Sequence, residues 1–161
     1  MNQLDRRRQA QVVAALVEGN SIRATCRMTD VSKPTVLKLL ANVGRACAEY
    51  QDKTLRSLPC KRIQCDEIWS FCYAKEKNVP RNKRGKFGYG NVWTWTAICA
   101  DTKLVPSWLV AERNLTAATA FMQDVASRLK YRVQLTTDGF RPYLEAVEGA
   151  VYLAQRSTSL C

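Results

Sequence analysis

Apolar and polar positions follow two different periods along this chain, and the change falls near residue 60. Over residues 4–19, Val12, Val13, Leu16 and Val17 form a stripe at helical spacing. Arg6 to Arg8 lie outside it, and Gly19-Asn20 supplies a stop. This pattern predicts a first helix. Ser21 is placed to cap a second helix over Ile22 to Thr29, and Asp30-Val31-Ser32 reads as a turn. Ser32 then caps a third helix with Pro34 in its first turn, where a missing N–H does no harm. Val36, Leu37, Leu40 and Val43 recur at helical spacing, with Val36, Leu37 and Leu40 expected on the core side. Residues 45–58 read as a helical or irregular linker closed by Leu58-Pro59.

Beyond Lys61 the period shortens to that of a strand. Ile63 to Tyr73 is rich in β-branched and aromatic residues and predicts a first strand; Val92 to Ala100 and Leu104 to Val110 predict two more, joined by a turn at Asp101-Thr102-Lys103. Lys75 to Gly90 is a polar, basic, glycine-containing loop. Thr116 is placed to cap a helix whose face is Ala118, Phe121, Met122, Val125 and Leu129. Arg132 to Thr137 predicts a fourth strand, broken by Gly139, and Pro142 opens a short helix through Val147. The chain is thus expected to be α/β: a three-helix head, then the order β-β-β-α-β-α, a meander of three strands followed by a crossover.

Composition narrows the chemistry. The 161 residues carry 25 Lys and Arg against 14 Asp and Glu, a formal charge of +11. Residues 1–59 hold ten basic and five acidic groups, and 60–161 hold fifteen and nine, so both parts are basic, as a polyanion partner requires. A soluble protein with Lys-rich faces is the plainer alternative. Seven cysteines without a C-x-x-C pair argue against a disulfide scaffold and fit a reducing cytosol, so a cytoplasmic location is expected. There is no histidine, which excludes imidazole zinc sites, Ser-His-Asp triads and Cys-His dyads. No leader-like segment and no membrane span is read.

Helix, short helix, tight turn and helix is the order that sets a recognition helix into the DNA major groove. On the helix beginning at Ser32, the polar residues Ser32, Lys33, Thr35, Lys38 and Asn42 are the candidate DNA contacts. The alternative is a small helical bundle with a solvated charged face. The 75–86 segment carries Lys75, Lys77, Arg81, Lys83, Arg84 and Lys86 against Glu76 alone. It is read as a second, sequence-independent DNA contact, with Arg81, Lys83 and Arg84 as candidates, or else as a mobile solvated loop.

Two carboxylates stand out. Asp66 lies inside the first predicted strand and Asp138 at the end of the fourth, where Gly139 turns the chain. A charge among strand formers is costly to bury unless it is paired or binds a metal. If strand four lies beside strand one, the two meet, and paired hard oxygen ligands suit Mg²⁺ or Mn²⁺ and phosphodiester displacement. Glu67 falls on the opposite face by strand alternation and is expected to play a supporting or structural part. Asp101 and Asp124 read as turn and solvated-helix acids, and Phe87-Gly88-Tyr89-Gly90 as a loop.

At Cys65-Asp66-Glu67-Ile68-Trp69-Ser70-Phe71, with Thr136-Thr137-Asp138-Gly139 downstream, the chain resembles the DDE transposases of the insertion-sequence-one family. The resemblance extends over about residues 5–150, through Val12 to Thr29, Val92 to Trp95, Lys103 to Val110 and Tyr143 to Gly149. It implies a ribonuclease-H-like fold for residues 60–150 after a helix-turn-helix head and linker at 1–59. It also implies a divalent-metal site with Asp66 and Asp138 as first and second catalytic acids, and cutting and joining of DNA strands at mobile-element ends. Family members continue through a further strand to a helix bearing a third acid, a Glu. Residues 151–161 do not resemble that continuation, so the resemblance implies an incomplete catalytic domain, inactive alone, with one sheet face uncovered. The expected partners are duplex DNA, at element ends and target, with self-association left open. The competing reading is a DNA-binding regulator or transposition inhibitor without catalytic activity.

Overall fold

The structure is a computed structural model that describes the backbone of residues 4–157 and side chains through residue 149. It is mixed α/β, with five α-helices and one four-stranded mixed sheet among the described residues. The chain divides into two compact units at Thr54/Leu55. The sequence pattern places that change at Pro59. Leu58 belongs with the second unit, because its N–H donates to the Arg128 carbonyl and its own carbonyl accepts from Lys130.

The first unit holds α1 (Arg6–Val17), α2 (Ile22–Thr29) and α3 (Lys33–Thr54). Asp5 caps α1 by accepting from the Arg8 N–H, and Ser21 caps α2 by accepting from Ala24, as its sequence position predicts. Asp30 ends α2 in the left-handed conformation at φ 51°. The Ser32 carbonyl accepts from the Val36 N–H, while its hydroxyl bonds that of Thr35 at 2.8 Å. Val12, Val31 and Val36 form the core, with Leu4, Leu16, Ile22, Cys26 and Leu39 packed on it. Two expectations are corrected here. Leu37 and Leu40 are exposed and Leu39 packs in their place, and Val17 lies in solvent while Ala15 is buried. The short α1 and α2 cover only a narrow stripe of α3, and Leu37 stands about 100° round the helix from Val36. The other difference is length. No breaker follows Gly44, and Ala, Glu, Gln and Lys carry α3 on to Thr54 as one helix rather than a linker.

In the second unit, β1 (Arg62–Cys72) pairs antiparallel with β2 (Gly90–Cys99), and β2 with β3 (Ser107–Ala111). Helix α4 (Leu115–Arg128) then crosses over to β4 (Gln134–Thr136), which lies parallel to β1, so the order is β3-β2-β1-β4. The cap of α4 is Asn114, accepting from Ala117, and not Thr116. Helix α5 (Pro142–Ser157) runs well past Val147 and takes in most of the segment after residue 150; residues 158–161 lie outside the described residues. Both helices cover one sheet face. Ile63, Cys65, Trp95, Ala97 and Cys99 from the strands meet Ala118, Phe121, Met122 and Val125 from α4 and Tyr143 and Ala146 from α5. Asp124 is not a solvated helix acid: it accepts from Arg128 Nε at 2.7 Å and from the Ser107 hydroxyl, tying α4 to β3. The described cysteines are all free thiols, and no described helix is long and apolar enough to cross a membrane.

Candidate carboxylate site and basic surfaces

Alternation along β1 turns Ile63, Cys65 and Glu67 toward the helices and Gln64, Asp66 and Ile68 to the open face. Asp66 is therefore exposed; its Oδ1 accepts from the Glu67 N–H at 2.8 Å, and its carbonyl accepts from the Thr96 hydroxyl. The last pair between β1 and β4 is Gln64 with Thr136. Asp66 stands two residues further along β1, and Asp138 two residues beyond Thr136, past the end of β4. Gly139, at φ 84°, turns the chain there, and Asp138 Oδ1 accepts from the Phe140 N–H at 3.0 Å.

The residue that organises this end of the sheet is Arg113, which the sequence reading did not single out. It sits between β3 and α4 and bridges two carboxylates. Its Nε donates to Glu67 Oε2 at 2.8 Å and its Nη2 to Asp138 Oδ2 at 3.0 Å. Its guanidinium carbon lies 3.7 Å from the centre of the Phe140 ring and 5.3 Å from that of Trp93, so aromatic faces hold the plane of the fork. An isolated cation in a short connection leaves no periodic signal, which is why pattern reading passes over it. Glu67 is the buried member: its side chain is 1% exposed, and Oε1 has no hydrogen-bond partner. Tyr143 is buried beside it. Burial, and then the Glu67 carboxylate, push that phenol above its ordinary range.

This donor set does not fit a two-metal centre. Asp66 and Asp138 supply hard oxygens, but Asp138 already accepts from a guanidinium and a backbone N–H. Among the described residues, no group of three or more Asp, Glu, Cys or His side chains is gathered in a way that could hold a metal ion. One or two carboxylates with water and substrate oxygens hold a single Mg²⁺, but two carboxylates, one of them engaged by Arg113, leave too few protein oxygens to anchor two ions.

The basic candidates fall in two places. Ser32, just before α3, and Lys33, Thr35, Lys38 and Asn42 on it are all exposed. The 75–86 segment is not a bare loop. It forms two short 3-10 turns, Glu76–Asn78 and Arg81–Lys83, around the buried Val79. Glu76 and Asn91 exchange hydrogen bonds, each 3.3 Å long. Arg84 spends its guanidinium on the Val79 carbonyl, and Lys83 lies over the rings of Tyr73 and Tyr89. Arg81 remains exposed, as do Lys77 and Lys86. No protein-family model matches the chain, and no curated protein matches it.

Proposed function

We propose that this chain is a duplex-DNA-binding protein built on the plan of a DDE transposase: a helix-turn-helix head at its start and part of a ribonuclease-H-like domain after it. The observation that carries the reading is that Asp66 lies on β1 and Asp138 two residues past the end of β4, the parallel neighbour of β1, in a sheet of order β3-β2-β1-β4. The resemblance at those two motifs points the same way. The head supports it with α2 and α3 joined by a turn and with Lys33, Thr35, Lys38 and Asn42 exposed along α3, where phosphate and base contacts are made.

The donor set favours a second element of the reading: the chain binds DNA without cutting it by itself. Asp138 is engaged by Arg113, the neighbouring acid Glu67 is buried and tied to the same guanidinium, and among the described residues no three acids are gathered to hold a metal ion. Such a product acts as a regulator or inhibitor of strand transfer. Two measurements test the two elements separately. Replacing Lys33 and Lys38 with Ala should weaken duplex binding and reduce the slope of log affinity against log salt by about 2, since each phosphate contact releases roughly 0.9 of a counterion. An unchanged slope overturns the assignment of α3. In a strand-cleavage assay with Mg²⁺ or Mn²⁺, the chain alone should leave DNA intact. Metal-dependent cleavage that Asp66→Ala abolishes would show a complete catalytic set and overturn the regulator reading.

A further inference from the structure

The β1–β2 hairpin runs on past the part of the sheet that α4 and α5 cover. Beyond Glu67, alternation along β1 turns Trp69 and Phe71 to one side, with no core to receive them, and Tyr73 follows just past the strand's end at φ 65°; the three are 41%, 47% and 65% exposed. Phe87, in the connecting segment, is fully exposed. The rings are grouped: Trp69 and Phe71 centroids lie 5.7 Å apart, and Tyr73 and Tyr89 5.1 Å apart. Cations are interleaved with them. Lys83 Nζ lies 4.8 Å from the Tyr73 ring centre and 5.0 Å from that of Tyr89, and Lys75 lies 5.2 Å from Trp69. Lys77, Arg81 and Lys86 add further exposed charge, while Glu76, the segment's one acid, is turned to the Asn91 N–H.

We propose that this end of the hairpin is a stacking platform for the unpaired bases of single-stranded nucleic acid. A single strand offers what this surface lacks: flat π-faces for the exposed rings and a phosphate at every step for the cations. A duplex hides its base faces inside the stack, so the rings would gain nothing from it. A second copy of the chain is disfavoured, since six cations on each platform would face six others. The buttresses within the hairpin, Val79 in its core and Arg84 on the Val79 carbonyl, hold the platform in shape before a ligand arrives. The inference stands apart from the duplex-binding reading, which rests on α3.

The test uses the full chain and four probes: a short oligothymidylate, the matching oligouridylate, a duplex of the same length, and vesicles of phosphatidylserine and phosphatidylcholine. Either single strand should bind more tightly than the duplex and quench tryptophan fluorescence, and Trp69→Phe should remove most of the quench. Phe71→Ala and Phe87→Ala should each weaken single-strand binding roughly tenfold and leave duplex binding unchanged. Phe87 makes no buried contact, so its replacement tests the surface without endangering the fold. A stronger response to one strand than the other identifies DNA or RNA as the source of the bases. Equal loss on single strand and duplex, no effect of either Phe variant, or binding to vesicles with none to oligonucleotides overturns the proposal. Lys33→Ala with Lys38→Ala should affect only the duplex, so failure of the α3 reading and failure of the platform give different patterns.

Discussion

Arg113 illustrates how one side chain can hold a site together. It faces Glu67, whose side chain is 1% exposed, and Asp138, whose side chain is 41% exposed. Removing a partner from a buried pair leaves a desolvated charge behind. Arg113→Ala is therefore expected to cost about 3 kcal/mol, the low end of the range because Arg113 is itself partly exposed. Adding Glu67→Gln should recover much of that loss, because the stranded carboxylate is then neutral. Urea denaturation of the single and double variants measures both, and a double variant no more stable than the single one would show that the loss is of packing on Phe140 and Trp93 instead. Asp124 gives a pH-dependent case. Burial raises its carboxyl, but the hydrogen bonds from Arg128 and Ser107 outweigh burial and hold it below 3.8. A depressed folded value means that its contribution is present in full above the ordinary carboxylate range and is lost as pH falls through the lower folded value. The stability gap between the wild-type chain and Asp124→Asn should be constant from neutral pH down to about 5 and shrink below about 4. A gap that widens in acid would contradict the assignment.

At the scale of elements, the two leucines of α3 separate pattern from packing. Val36 is fully buried and Leu37 is 44% exposed. Val36→Ala should destabilise the first unit by about 2 kcal/mol, from the lost methyl groups and the cavity left behind. Leu37→Ala should change stability by less than about 0.5 kcal/mol. Equal losses in thermal unfolding would return Leu37 to the core. The periods locate the four strands and the order of the α-helices and strands, because alternation and β-branched runs persist along strands, but they start β3 and β4 two or three residues early and miss the two 3-10 turns. Ser21 and the buried face of α4 were equally plain, since a cap and a repeated stripe are local signals. Leu37 and Leu40 were misplaced because a stripe's width depends on how much of the helix its neighbours cover, which is a tertiary fact. The sequence offers Thr116 as the cap of α4, but Asn114, two residues earlier, accepts the orphan N–H of Ala117. In the carboxylate site, Asp66 and Asp138 were legible as charges that punctuate strands. Arg113 is not, because its ion pairs join residues 46 and 25 positions apart whose sequence neighbourhoods carry no shared pattern; for Asp124 the i,i+4 spacing to Arg128 is a local signal, and only the bond from Ser107 is out of reach of the sequence.

The whole second unit buries one sheet face and leaves the other in solvent. On the open face Ile68, Thr94 and Val110 form one row across β1, β2 and β3, and Asp66, Thr96 and Trp108 form the next. Ile68 is 59% exposed, Val110 53% and Trp108 47%. An antiparallel sheet open on one side ordinarily carries polar residues there, so these three make an apolar patch around a polar centre. Such a patch drives association, whereas the net charge of +11 opposes it. Salt decides between them. At low ionic strength self-repulsion extends over tens of ångströms and keeps the chains apart; at about 1 M salt it is screened to roughly 3 Å, while the hydrophobic term remains. The chain is therefore expected to be monomeric in dilute buffer and to self-associate as salt rises. Nucleic-acid binding must respond in the opposite sense, since salt weakens every phosphate contact. Ile68→Thr with Val110→Thr keeps β-branched residues in both strands and removes the apolar row. In sedimentation velocity across a salt series, the wild-type chain should shift to larger species and the double variant should not. A wild-type chain that stays monomeric at high salt, or a double variant that associates equally, would show that this face does not govern the behaviour of the molecule.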